Sequence, residues 1–136
     1  SLVTVDHQNG KIQESLLNTY GLHDHFVSQR PFDIDANQLY PDQTSDGEVI
    51  EAVVAAARAC VEEDGAEVIT FGCSGCFWLK PFVEEGLKER GWDVPVIEGY
   101  GASIELAKMM INMGVNASGI TFPVDRPKRR PRRVTF

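Results

Sequence analysis

The 136-residue chain has few cysteines, no long apolar run and few basic residues over most of its length. Its three cysteines, an odd number in a chain of this size, argue against a disulfide framework and favour a reduced, cytoplasmic setting. No apolar run approaches the ~20 residues of a membrane-spanning helix, and no signal-peptide pattern opens the chain. We therefore expect one globular domain with no membrane partner.

Nearly half of the basic residues lie in the last twelve positions of the chain. Residues 1–124 carry 7 basic and 19 acidic side chains, whereas residues 125–136 carry 6 basic and 1 acidic. A basic tail on an acidic body can bind nucleic acid. Because no basic stripe or aromatic platform supports that interpretation elsewhere, we expect no nucleic-acid partner. The composition predicts a domain over 1–124 and a basic Pro/Arg-rich tail over 125–136.

Apolar periodicity predicts that strands and helices alternate along the chain. This alternation favours an α/β fold with an open, mostly parallel four-stranded sheet and helices on both faces. The predicted strands are 2–5, 26–34, 67–71 and 94–97. The predicted helices are 8–20, 47–63, one that follows the cysteines and ends near Gly91, and 102–113. The first helix has Ile12, Leu16, Leu17 and Tyr20 on one face, and the third uses Leu79, Phe82, Val83 and Leu87.

The most informative segment is Val68–Leu79, in which an apolar strand runs into Gly72-Cys73-Ser74-Gly75 and a helical pattern follows. This order places Cys73 at the start of a helix, beside backbone N–H groups that have no partner within the helix. Such a position favours the thiolate form of a cysteine and can hold an anion. Thr4 and Glu98 also follow predicted strands, and ligands of open parallel sheets bind at that edge.

Two alternatives for this edge stay open. Cys73 and Cys76 form the C-x-x-C of a thiol redox protein, but the motif follows the third strand, and Val94-Pro95 comes only about twenty residues later. A structural zinc site needs four ligands, of which one C-x-x-C supplies two, so we predict no metal. Glu98 could orient a substrate or a neighbouring side chain, or it could cap the next helix.

The segment Glu67–Gly75 resembles the aspartate/glutamate/hydantoin racemase superfamily, specifically its hydantoin and allantoin racemase branch. The match extends upstream to Asp64-Gly65-Ala66 and downstream to Val94-Pro95-Val96-Ile97-Glu98, which is similar to the family's Val-Pro-Val-Ile-Asp. Val3-Thr4-Val5 resembles the strand that opens the family's second domain. Cys76 stands where the family usually has methionine. Gly75 stands where the acidic amino-acid racemases have His or Glu, which favours a ring substrate of the hydantoin type.

The resemblance implies a cofactor-independent racemase in which two domains each supply one cysteine to opposite faces of the substrate. It makes Cys73 the acid/base of the second domain, with the N–H groups of Ser74 and Gly75 stabilising an enolate-like oxygen. We predict that Thr4, Ser74, Gly75 and Glu98 contact the small-molecule substrate. The first domain has no counterpart in this sequence, so the opposing cysteine would come from a missing domain or a second subunit, and we expect a homo-oligomer. The alternative functions are a non-catalytic binding or interaction module and the thiol redox protein.

Overall fold

The computed structural model describes residues 1–34, 39 and 46–115, so the predicted basic tail over 125–136 and the end of the predicted domain lie outside the described residues. The described part contains a four-stranded parallel sheet, as predicted, and its strand order is β2-β1-β3-β4. Its elements are β1 (Leu2–Thr4), α1 (His7–Thr19), a short 3-10 helix (His23–His25), β2 (Gln29–Pro31), α2 (Asp46–Glu62), β3 (Ile69–Phe71), a second 3-10 helix (Ser74–Leu79), α3 (Lys80–Lys88), β4 (Val96–Ile97) and α4 (Gly99–Asn112).

The chain divides into two compact units, Ser1–Ser103 and Ile104–Phe136. The first unit holds the sheet and all the residues of the candidate site. Of the second unit, the structure describes residues 104–115, which include the later part of α4.

The strand order produces a switch point between β1 and β3. From β1 the chain moves to one side to form β2, and it then returns past β1 to form β3 and β4 on the other side. Leu2 pairs with Thr70 and Val3 pairs with Phe71, and the Gly72 N–H donates to the Val3 carbonyl at 2.9 Å. The carboxyl ends of β1 and β3 therefore lie side by side at the point where the strand order reverses. Parallel α/β sheets bind ligands at this point.

Helices α2 and α3 form the main core against one face of the sheet. The apolar residues of α2 face this core: Val49, Val53, Val54, Ala57, Cys60 and Val61 are buried and Ile50 is partly buried. Leu79, Val83 and Leu87 around α3 are buried as predicted. Gly86 of α3 packs directly on the Val54 side chain of α2. Phe82 is an exception, since it is 38% exposed and packs edge-on against Trp78.

Helix α1 packs on β1 and β2 from the other face, but it buries little of its apolar surface. Ile12, Leu16 and Tyr20 are 56%, 42% and 71% exposed, so the predicted apolar face is not a core face within the described residues. The helix begins after Asp6, whose carboxylate accepts from the Asn9 N–H at 2.6 Å in a regular N-cap.

Three predicted boundaries are wrong for local reasons. Strand β2 is shorter than 26–34 because the Phe26 N–H bonds to the His23 carbonyl in a 3-10 turn instead of joining the sheet. Helix α4 begins at Gly99 because Glu98 caps it there. An α-helix does not start at Cys73: six residues of 3-10 helix come first, and α3 begins at Lys80, where Pro81 fits the first turn.

Candidate active site

Cys73 lies two residues beyond β3, at the switch point between β1 and β3. Its backbone is extended (φ −134°, ψ 130°), and it caps the 3-10 helix that follows. The Cys73 carbonyl accepts from the Cys76 N–H at 3.2 Å, which closes a tight turn over Ser74 and Gly75. The fold thus presents the Cys73 side chain at the edge of the sheet where a ligand is expected.

The three cysteines differ in their access to solvent. Cys60 and Cys76 are fully buried, whereas Cys73 is partly exposed, and all three are free thiols. Burial raises the pKa of the Cys76 thiol to about 12, with smaller contributions from the charge of Cys73 and a hydrogen bond to it. Burial likewise raises the pKa of Cys60. Of these thiols, only Cys73 is placed to react with a molecule in solution, because Cys60 and Cys76 are buried.

The turn after Cys73 offers two backbone donors. Within the described part of the chain, no backbone or side-chain acceptor takes the N–H of Ser74 or of Gly75. The Cys73 sulfur lies 3.6 Å from the position that a Cβ on Gly75 would occupy, so the thiol sits against this turn. Two free N–H groups beside a thiol can stabilise negative charge on a bound oxygen.

The other wall of the site comes from β1 and α1. Thr4 is 1% exposed, and its hydroxyl has no hydrogen-bond partner among the described residues; the same holds for the buried Oδ1 of Asn9. Both side chains press on Gly72, where an added Cβ would lie 2.9 Å from Thr4 Cγ2 and 3.1 Å from Asn9 Oδ1. Gln13 Nε2 donates to the Gly72 carbonyl at 2.9 Å. The structure thus brings Thr4 to the Cys73 turn.

Sequence reasoning missed Asn9 and Gln13. The available signal was their spacing: residues i and i+4 of a helix share a face, and this helix starts at the ligand edge of the sheet. Nothing in the sequence showed that this face meets Gly72, because the contact joins segments about sixty residues apart.

Glu98 lies after β4 on the same edge and caps α4. Its carboxylate accepts from the N–H of Tyr100 at 2.8 Å and from the N–H of Gly101. The capping alternative therefore holds in this structure, while contact of Glu98 with a substrate stays a prediction. Tyr100 packs edge-on against Phe77 at 5.6 Å between ring centroids, and each ring is about half exposed.

Other features of the described residues do not form a competing site. Residues 1–34, 39 and 46–115 contain no group of three or more His, Cys, Asp or Glu side chains that could hold a metal ion. An open cavity of about 480 Å³ lies between α2 and α3, where Arg58 hydrogen-bonds the Gly86 carbonyl and pairs with Glu89. No helix in these ranges has the length and apolarity to cross a membrane.

The architecture defines a doubly wound parallel α/β domain with an accessible cysteine at its switch point, and the comparisons with known proteins narrow this class. No family model matches the chain. Hydantoin racemases of Pseudomonas sp. and Rhizobium meliloti are 30% and 28% identical over 87% and 88% of the chain. The solved allantoin racemases of Klebsiella pneumoniae and Pseudomonas fluorescens each match with a TM-score of 0.74, at 26% and 29% identity over 86% and 95% of the chain.

The chain is therefore a homologue of hydantoin and allantoin racemases in both sequence and fold. It spans about half the length of these relatives: 44% and 46% of the two hydantoin racemases, and 44% and 52% of the two solved structures.

Proposed function

We propose that this chain supplies half of the active site of a racemase for hydantoin- or allantoin-like substrates, with Cys73 as one of two acid/base groups. The observation that carries the proposal is the placement of Cys73, the one partly exposed thiol of three, at the switch point of a domain homologous to such racemases. We propose that the reaction needs no cofactor, because the carbonyl next to the stereocentre can itself take up the electron pair of the C–H bond.

The proposed chemistry is a transfer of protons at one stereocentre. The Cys73 thiolate takes the α-proton, the C–H electron pair moves toward the adjacent carbonyl, and an enolate-like oxygen forms. The N–H groups of Ser74 and Gly75 donate to that oxygen. A second thiol then protonates the opposite face of the carbon, so that Cys73 ends as a thiol and the second group as a thiolate. The Thr4 hydroxyl, which has no hydrogen-bond partner among the described residues, would orient a polar edge of the ring.

A second acid/base is needed because one base that returns its proton to the same face regenerates the starting enantiomer. Cys60 and Cys76 are fully buried, so neither can face Cys73 across a substrate. We propose that the opposing thiol comes from a further domain or from a second copy of the chain in a homo-oligomer.

Exchange and racemisation can be measured together, and they separate the parts of this proposal. The chain is incubated in D₂O with an enantiopure 5-substituted hydantoin, and NMR and optical rotation follow α-deuterium and chirality above the buffer background. Cys73 acting alone should incorporate deuterium with retention of configuration. Racemisation should appear when an opposing thiol is present, and a specific activity that rises with protein concentration would assign that thiol to a second copy.

Variants of the two neighbouring cysteines provide the matched control. Cys73→Ala should abolish deuterium incorporation, whereas Cys76→Ala should retain it, because the buried Cys76 thiol takes no part. Equal dependence on both cysteines together with disulfide reductase activity would favour the redox alternative. Binding of the hydantoin without any exchange, at every protein concentration and with an added cysteine-bearing domain, would favour a non-catalytic module.

A further inference from the structure

We infer that Gln13 is a positioning residue that sets the reactivity of Cys73 by anchoring the peptide group in front of it. This inference rests on the proposed role of Cys73 as the reactive thiol. Gln13 reaches across from α1 and donates from Nε2 to the Gly72 carbonyl at 2.9 Å in a partly buried hydrogen bond.

The hydrogen bond completes a set of three that fix the backbone on both sides of the Cys73 nitrogen. The Gly72 N–H is held by the Val3 carbonyl of β1 at 2.9 Å, and the Cys73 carbonyl is held by the Cys76 N–H at 3.2 Å. The Gly72–Cys73 peptide lies between these two hydrogen bonds, and Gln13 donates to its oxygen. Because a peptide group is a rigid plane, fixing its oxygen also fixes the Cys73 nitrogen. Together with the held Cys73 carbonyl, this restricts the direction in which the Cys73 side chain leaves the backbone.

Close packing around Gly72 leaves the Gly72–Cys73 peptide little room to move. An added Cβ at Gly72 would lie 3.4 Å from Gln13 Cγ and 2.9 Å from Thr4 Cγ2, so the glycine is enclosed between α1 and β1. The Cys73 sulfur in turn lies against Gly75, in the turn whose Ser74 and Gly75 N–H groups have no acceptor among the described residues. Loss of the anchor should let the peptide rotate, draw the sulfur away from these donors and lower the population of reactive thiolate.

The test is the rate of Cys73 alkylation as a function of pH. Gln13→Leu removes the donor but keeps a good helix former of similar length. The matched control is Gln8→Leu, the same change at an exposed position of the same helix. Iodoacetamide labelling of each cysteine is followed by mass spectrometry, and the buried Cys60 and Cys76 report any unfolding. Gln13→Glu provides a second variant of similar shape whose ionised carboxylate cannot donate.

We expect both Gln13 variants to slow Cys73 alkylation at neutral pH by about threefold to tenfold and to displace the rate profile to higher pH, as weaker stabilisation of a thiolate requires. Gln8→Leu should leave the profile unchanged. A lower urea midpoint with an unchanged Cys73 profile in either Gln13 variant would overturn the inference and make Gln13 a purely structural residue. The outcome is independent of racemisation, so failure of the proposed function and failure of this inference give different results.

Discussion

Replacing Gly72 with alanine should push apart β1, α1 and the Cys73 turn. The new methyl would lie 2.9 Å from Thr4 Cγ2, closer than carbon atoms pack, and 3.1 Å from Asn9 Oδ1. Gly72 is not among the described glycines with positive φ, so alanine fits the backbone and the cost comes from packing. Overpacking of this kind costs about 1–3 kcal/mol, and the loss of glycine's flexibility in the unfolded chain returns about 0.4–1 kcal/mol. The difference between these ranges runs from about 0 to about 2.6 kcal/mol, so we expect a net loss of about 1 kcal/mol.

Thr4→Ser gives the decisive comparison because it removes only Cγ2, the atom that the new methyl meets. By itself it should cost about 1 kcal/mol for one buried methyl group. In the double variant the methyl introduced by Gly72→Ala fills the space that Cγ2 leaves, so the loss should be smaller than the sum of the two single losses by about 1 kcal/mol or more.

Urea unfolding monitored by tryptophan fluorescence measures all four proteins, with Trp78 and Trp92 as probes. Single and double losses that add within about 0.5 kcal/mol would refute the proposed contact between Thr4 and Gly72.

Three further changes test other contacts by stability or exchange. Gly86→Ala should destabilise the protein by about 1–3 kcal/mol in urea unfolding because its methyl overlaps Val54, although alanine favours helices. Val54→Ala added to Gly86→Ala should recover part of that loss. A Gly86→Ala variant of unchanged stability would contradict this packing. The Arg30 guanidinium donates to Asp64 and lowers the pKa of that carboxyl to about 2 from an ordinary 3.8, so this stabilisation exists above pH 4 and is lost as pH falls toward 2. Asp64→Asn should cost about 1 kcal/mol at pH 6 and less than half of that near pH 2, where about half of the Asp64 carboxyl is protonated. An equal cost at both values would exclude the ion pair as its cause. Glu98→Ala should speed amide exchange at the start of α4, and unchanged exchange would show that the cap is dispensable.

Most of the fold could be predicted from local pattern. The run of apolar residues in α2 recurs with helical spacing, and its members Val49, Val53, Ala57 and Cys60 are all buried. The apolar residues of α1 follow a similar period, yet Ile12 remains exposed. Periodicity shows that a helix can be amphipathic, but burial depends on whether another element covers it, and a single segment carries no information about that.

The sequence likewise predicted one part of the candidate site and left another part undecided. The Gly-Cys-Ser-Gly turn after an apolar strand identified Cys73 at the ligand edge of the sheet, and the resemblance to racemases came from the same residues. The sequence alone left Cys73 and Cys76 as a possible pair. Their separation into a partly exposed thiol and a buried thiol with a raised pKa depends on how the 3-10 helix packs into the core.

By itself, then, the amino-acid sequence determined the alternation of strands and helices, the parallel sheet and the position of Cys73 after a strand, because these depend on apolar period and on turn residues close in the chain. Only the tertiary structure decided that β1 and β3 are neighbours at the switch point, and that Thr4, Asn9 and Gln13 surround Gly72. Those contacts join residues about sixty positions apart, where strand order and packing, rather than local preference, choose the partners.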